Sequence, residues 1–203
     1  QEKISIVPNG VDLSMFNITK KKNPKKVVFA GAMYYHRGLD VLLETIPLVI
    51  EKIPDAKFVL LGSGTEMDKL KEIVSKNKLD NSVEFKGWIE REKIPENIAD
   101  ASIGIGPLRL TEVTSRALPI KVLEYMAVSL PLIAQKGTLP NDVLENEKNG
   151  FFIENHIELA EKIILLLNEP KKVENMGAHS LKLVQKFSWD QVVDSVINEV
   201  KNI

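Results

Sequence analysis

Glu124 and Lys121 stand in the stretch "SRALPIKVLEYMAVSLPLIA", Ser115 to Ala134, a carboxylate and an ammonium inside a run that otherwise reads as a buried helix leading into a buried strand. On a helical wheel starting at Pro119, Ile120, Val122, Leu123, Met126 and Ala127 share one broad side, and Lys121, Glu124 and Tyr125 share the other. Glu124 therefore need not be buried. Two arrangements fit this pattern. On a solvated edge, Lys121 and Glu124 form an i, i+3 pair worth about a few tenths of a kcal/mol. Facing a cleft, Glu124 accepts two hydroxyls of a ribose while Lys121 lies near phosphates. The pattern alone does not choose between them.

Three other loops carry residues of the right kind. "GAMYYHRG", Gly31 to Gly38, follows an apolar run and precedes a helical one. Glycines let backbone N–H groups come close to a phosphate, and Arg37 can add charge-assisted hydrogen bonds beside a helix start. The alternative is a solvent-exposed turn with an ordinary surface arginine. Its spacing matches neither the dinucleotide fingerprint nor a Walker loop. In "GSGTEMDKL", Gly62 and Gly64 end an apolar run and Thr65 is placed to cap the next helix, so a tight turn accounts for it as well as a ligand does. In "FKGWIEREKIPENIADA", Gly87, Trp88 and Ile89 can form a shelf whose backbone bonds a base edge, or Trp88 can belong to the core or its rim. His36, His156 and His179 have no metal-ligand spacing, and no Ser/His/Asp set has a nucleophile turn.

The elements that must position these loops alternate. "VVFAG", "AKFVLLGSG", "VEFKG", "ASIGIGP", "LPLIA" and "GFFI" read as strands, separated by helical stretches at Leu39–Ile53, Glu66–Lys78, Ile94–Ala99, from Pro119 onward and at Asn141–Glu145. Continuously apolar strands between helices mean a parallel α/β sheet of about six strands covered on both faces. In such a sheet, ligands bind at the carboxyl ends of the strands, where all four loops fall. From His156 to Ile203 the chain reads as helix, with Pro170 in a first turn and Ser188 as a cap. The chain opens on the strand-like "QEKISIVPNGVD" with no helix before it, as if cut from something longer.

Composition narrows the function. The 203 residues carry 27 Lys+Arg against 28 Asp+Glu, so a surface built for nucleic acid is not expected and any anion must be met locally. There is no cysteine, which excludes disulfides, thiol nucleophiles and cysteine-rich zinc sites, and fits a reducing cytoplasm. No apolar stretch approaches the roughly 20 residues of a membrane-spanning helix. The run "KKKNPKK" reads as a solvated connector, with attraction to an anionic membrane as the alternative.

Six segments in order, "VPNGVD", "FAGAMYYHRGLDVLLE", "LLGSGTEMDKL", "VEFKGW", "KVLEYMAVSLPLIA" and "ENEKNGFFI", resemble the C-terminal, nucleotide-sugar-binding half of the retaining family 4 glycosyltransferases of GT-B fold. The resemblance implies a single Rossmann-like donor-binding domain over residues 1–203, helical from 156, which is one half of a GT-B fold and the C-terminal part of a longer two-domain enzyme. Gly31 would pass close to the diphosphate, Arg37 would be the basic phosphate ligand, and Gly38 and Gly62 would be among the donor-binding residues. Gly87 to Ile89 would hold the base, Leu118, Pro119, Ile120 and Lys121 would offer a helix N-terminus to phosphate, and Glu124 would hold the ribose hydroxyls. Two positions depart from the family: Arg116 stands where a first glutamate is usual, and Ala32 where an arginine is. Arg116, Lys121 or Arg109 would then restore the charge.

The implied reaction is hexose transfer from a UDP- or GDP-sugar to a glycan or lipid-linked acceptor with retention, in cell-surface polysaccharide or glycolipid synthesis. Neither cofactor nor metal is implied. The setting would be cytoplasmic, with the full-length enzyme associating peripherally with the membrane. Without an N-terminal half the domain would be inactive. A sugar-nucleotide epimerase of the same fold, or a non-catalytic interaction module, are the alternatives.

Overall fold

Along the run "KVVFA", Val27 and Phe29 turn to one side and Val28 and Ala30 to the other, all buried, as an extended chain between two apolar layers requires. In the computed structural model, which describes residues 7–201, this run is β1 (Lys26–Ala30). The other strands are β2 (Lys57–Leu61), β3 (Val83–Gly87), β4 (Ile103–Ile105), β5 (Leu132–Gln135) and β6 (Gly150–Ile153). They form one sheet in the order β3-β2-β1-β4-β5-β6, and each neighbouring pair is parallel. The helices are α1 (Leu39–Lys52), α2 (Met67–Lys76), α3 (Ile94–Ile98), α4 (Ile120–Ala127), α5 (His156–Asn168), α6 (Pro170–Val184) and α7 (Trp189–Lys201).

Two apolar layers hold the sheet. On one face, Leu42, Leu43, Ile46 and Val49 of α1 pack with Leu70 of α2, Leu159 and Ile163 of α5, and Phe29, Phe58 and Leu60 of the strands. On the other, Val122, Leu123 and Met126 of α4 pack with Ile98 of α3, Leu183 and Val184 of α6, and Val28, Val59 and Leu132. Each fully buried aliphatic side chain contributes about 1.5–3 kcal/mol. The α/β sheet with helices on both faces and a helical C-terminal segment is thus the fold read from the sequence.

Some local expectations need correction. Residues 141–145 form turns closed by the Val143 and Leu144 N–H groups on the Pro140 carbonyl, because the chain must turn at once toward β6. Thr65 does not cap α2, which starts after Glu66 with no side-chain cap; the Glu66 N–H bonds the Met33 carbonyl instead. Ser188 does cap α7, accepting the Gln191 N–H at 3.2 Å. The strand expected at Ile4–Ile6 lies outside the described residues.

The lysine run is more than a solvated connector. Lys20 donates to the Glu96 carbonyl at 2.9 Å, Lys26 to Asn97 at 3.0 Å, Lys22 to Ala99 at 2.8 Å and Val128 at 2.9 Å, and Lys25 to Leu167 at 3.4 Å. These carbonyls close α3, α4 and α5, where cations complement both the orphan acceptors and the helix dipole. Burial lowers Lys22 from 10.5 to about 8. Between those values the unfolded chain holds a proton that the folded chain has released, so stability rises with pH. Denaturant unfolding should therefore show the wild type gaining on Lys22→Met from pH 8 to 10.5; a wild type losing ground there would contradict the assignment.

Candidate functional site

Strand order reverses between β1 and β4, and at the carboxyl ends of those strands lies a cleft of about 530 Å³. Gly31 and Ala32 line it from the end of β1, Arg37 from the following loop, Trp88, Ile89 and Arg91 from the segment after β3, and Leu118 to Lys121 with Glu124 from the start of α4. Asn9 closes one edge by donating its side-chain amide to the Leu118 carbonyl at 2.7 Å. The four elements meet because each leaves the same end of the sheet.

The charges in this cleft are not balanced locally. Lys121 is buried, and its Nζ lies 3.4 Å from the centre of the Phe29 ring with no hydrogen-bond partner among the described residues. A cation over an aromatic face recovers only part of what hydration gave it. Burial pushes the Lys121 ammonium well below its ordinary value, and the Arg37 guanidinium lowers it further against the opposing pull of Glu124. Arg37 is half-buried and makes no ion pair among the described residues. The same field, after burial, holds the His36 imidazole below its ordinary value through Arg37 and Lys121. α4 begins at Ile120 after an extended Pro119 with no side-chain cap, so the positive end of its dipole adds to both cations. The arrangement accommodates an anion.

Glu124 is buried, 7% exposed, and its Oε1 lies 3.4 Å from Arg91 Nη1. Burial raises its carboxyl above the ordinary value, partly offset by Arg91 and Lys121. Of the two arrangements open in the sequence, the solvated edge is absent: residues 121–127 are buried throughout, Tyr125 completely, because the sheet, α6 and the segment after β3 enclose α4. Glu124 faces a cleft. Opposite it, Trp88 is 72% exposed, an open aromatic face next to Ile89.

Of the residues singled out in the sequence, Gly31, Arg37, Trp88, Ile89, Leu118, Pro119, Ile120, Lys121 and Glu124 are brought together in this cleft. Gly38, Gly62, Gly87 and Arg116 do not line it. Gly62, with φ at 120°, supports the wall from behind: a Cβ there would lie 2.1 Å from the Gly31 carbonyl oxygen. Gly38 packs a left-handed turn against the backbone of Leu108 and Arg109, and the Gly87 carbonyl accepts the Gly62 N–H at 2.6 Å. Arg116 is 77% exposed, 3.5 Å from Glu112, beside a neighbouring cavity bounded by Gly137 and Leu139. Arg109 is committed elsewhere, 2.7 Å from Asp40 and stacked 3.9 Å over Tyr35. Asn9, Arg91, Ile94 and Ala117 also line the cleft, and no local pattern singles them out.

A parallel sheet with helices on both faces and a cation-rich cleft at its switch point defines a doubly wound α/β domain. The chain belongs to the glycosyl transferases group 1 family, whose pattern matches residues 11–182. It is 26% identical over 97% of its length to a Staphylococcus aureus poly(ribitol-phosphate) alpha-N-acetylglucosaminyltransferase, and 24% identical over 98% to the GtfA subunit of a Streptococcus pneumoniae UDP-N-acetylglucosamine–peptide N-acetylglucosaminyltransferase. It spans only 39% and 41% of the length of those two enzymes. Among solved structures, the Anabaena protein HepE in complex with UDP-glucose superposes with a TM-score of 0.82 at 17% identity, over 98% of this chain and 57% of that one. The C-terminal domain of a Francisella tularensis group 1 glycosyl transferase superposes at 0.74 and 22% identity, over 89% of this chain and 100% of that domain. No helix among the described residues is long and apolar enough to cross a membrane.

An ammonium buried without a partner costs stability in the ligand-free protein. Thermal or denaturant unfolding should therefore find Lys121→Met more stable than the wild type by about 1–4 kcal/mol. A variant less stable than the wild type would mean that Lys121 is already satisfied.

Proposed function

We propose that this chain is the donor-binding half of a retaining family 4, GT-B glycosyltransferase, moving a hexose from a nucleotide diphosphate sugar to a glycan or lipid-linked acceptor. The observation that carries this reading is the pair Arg37 and Lys121 beside the uncapped start of α4, two cations and a helix dipole without a counterion. A diphosphate supplies the missing charge. With its phosphates there, Glu124 is placed to accept the ribose hydroxyls, and the Trp88–Ile89 edge to meet the base. Uridine is the favoured base, since solved relatives are described in complex with UDP or UDP-glucose.

The chemistry follows from these contacts. Departure of the nucleoside diphosphate concentrates negative charge on the leaving phosphate, and Arg37, Lys121 and the α4 N-terminus stabilise that charge as it develops. In this proposal they do the work a divalent cation does elsewhere. Acceptor and donor must be held together with water excluded, so transfer requires a second domain facing the cleft. Ala32 leaves one phosphate cation fewer than the family pattern, and Arg116 lines the neighbouring cavity rather than the cleft, which places the charge requirement on Lys121 and Arg37.

Calorimetry with UDP, GDP and ADP tests the reading. Glu124→Ala should weaken the preferred nucleotide by roughly ten- to a hundredfold, as loss of hydrogen bonds to a charged acceptor implies, whereas Arg116→Ala should change it by less than about twofold. Equal effects, or a nucleotide-induced NMR shift remote from Gly31, Arg37 and Glu124, would refute the site. The affinity should also be unchanged by EDTA; a loss would show that a metal carries the phosphate charge.

A further inference from the structure

Tyr125 follows Glu124 on α4, is fully buried and does not line the cleft. Its ring lies against β4: a Cβ built on Gly104 would fall 2.7 Å from the ring Cγ and Cδ2. Its hydroxyl accepts the Ala30 N–H at 2.5 Å. Backbone alternation shows what that bond replaces. The Lys26 carbonyl accepts the Ser102 N–H from the β4 side, so Val28 and Ala30 face β4 as well. The β1–β4 register, however, stops at Val28 opposite Gly104. At Ala30, then, the Tyr125 hydroxyl stands in for a β4 carbonyl, while the next residue, Gly31, keeps its N–H on Leu61 of β2 at 2.9 Å.

The two walls of the cleft begin at the two ends of this contact. Ala30 leads directly into Gly31 and Ala32, and Tyr125 sits in the same turn of helix as Lys121 and Glu124. We propose that Tyr125 is a positioning residue, whose hydroxyl between the parted ends of β1 and β4 fixes the separation of the Gly31–Ala32 wall from the Lys121–Glu124 wall. This rests on the donor-binding reading of the same cleft. Burial keeps the phenol protonated by raising it above its ordinary value. A tyrosine that served only packing would, on losing its hydroxyl, lower stability and leave the relative affinities for different parts of a nucleotide unchanged. A positioning tyrosine loses affinity at the phosphates, which the two walls share, and keeps it at the base and ribose, which the Trp88–Ile89 edge and the Arg91-paired Glu124 meet without the Gly31–Ala32 wall.

The test compares UDP with uridine. Tyr125→Phe should weaken UDP by about tenfold, the consequence of a buried N–H left without its acceptor and free to shift, and uridine by less than about twofold. The chain has 3 tyrosines, Tyr34, Tyr35 and Tyr125, so labelling with 3-fluorotyrosine gives three resolvable ¹⁹F signals in a protein that keeps every hydroxyl. Tyr34→Phe and Tyr35→Phe assign the Tyr125 signal even if Tyr125→Phe does not fold. UDP should move that signal and uridine should not. Parallel weakening of both ligands, or a Tyr125 signal indifferent to UDP, would reduce Tyr125 to packing and leave the donor reading standing. A wild-type chain that binds neither UDP nor GDP would remove both.

Discussion

β1 and β4 are hydrogen-bonded only at their first residues, and everything in the cleft depends on their parting. A parallel sheet keeps its backbone polar groups satisfied by continuing the ladder, so strands that diverge must hand those groups to something else. On the β2 side the ladder runs through Ala30 opposite Leu61; on the β4 side Ala30 turns to the Tyr125 hydroxyl. At the end of β1 the Lys121 stem passes beside Gly31 and its Nζ lies over the Phe29 ring, which belongs to the core on the other face of the sheet.

That ammonium explains why the site is electrostatically unfinished. Desolvating a cation is expensive unless a partner compensates, and Lys121 has only an aromatic face and a nearby carboxylate that is itself buried. Arg37 adds like charge. Glu124 does not neutralise the set, because it is paired with Arg91 on its other side. A fold optimised for stability alone would place an apolar side chain at 121. The cost is consistent with a site whose counterion arrives with a ligand.

How much of this was legible in the sequence follows from range. The strands were, since continuous apolar runs ending at Gly31 and Gly62 are set by burial on both faces, the alternating edge strand ends at Gly87, and strand ends locate the loops. Most cleft residues followed from that. Glu124 was assigned correctly to the polar side of α4, but a helical wheel compares residues of one helix and says nothing of what encloses it, so its burial was missed. Arg91 pairs with it from a different loop, and no local spacing encodes such a contact. Arg116 was placed by register with a motif. The intervening loop has its own geometry, tied by the Thr114 hydroxyl to the Arg109 carbonyl at 2.7 Å and the Thr111 N–H at 2.8 Å, and Arg116 is left exposed beside Glu112 at the neighbouring cavity. The lysine run was misread for the same reason: its partners are helix ends far along the chain.

Those helix ends bear on the cleft. α4 has 8 residues, too few to hold a helix in water unaided, so its position is imposed from outside. Its C-cap carbonyl, at Val128, accepts from Lys22; its middle is pinned by the Tyr125 hydroxyl on Ala30; and its apolar side packs under β4 and β5. Its first turn is left without a side-chain cap and forms a wall of the cleft. The C-terminal end has its carbonyls satisfied, whereas at the other end the Val122 N–H closes on the Pro119 carbonyl at 3.0 Å and no side chain caps the turn, so the first N–H groups face the cleft. A lysine at the base of the sheet and the cleft at its top are in this sense met by two ends of one short helix, with the Tyr125 hydroxyl between them bonded to the Ala30 N–H of β1.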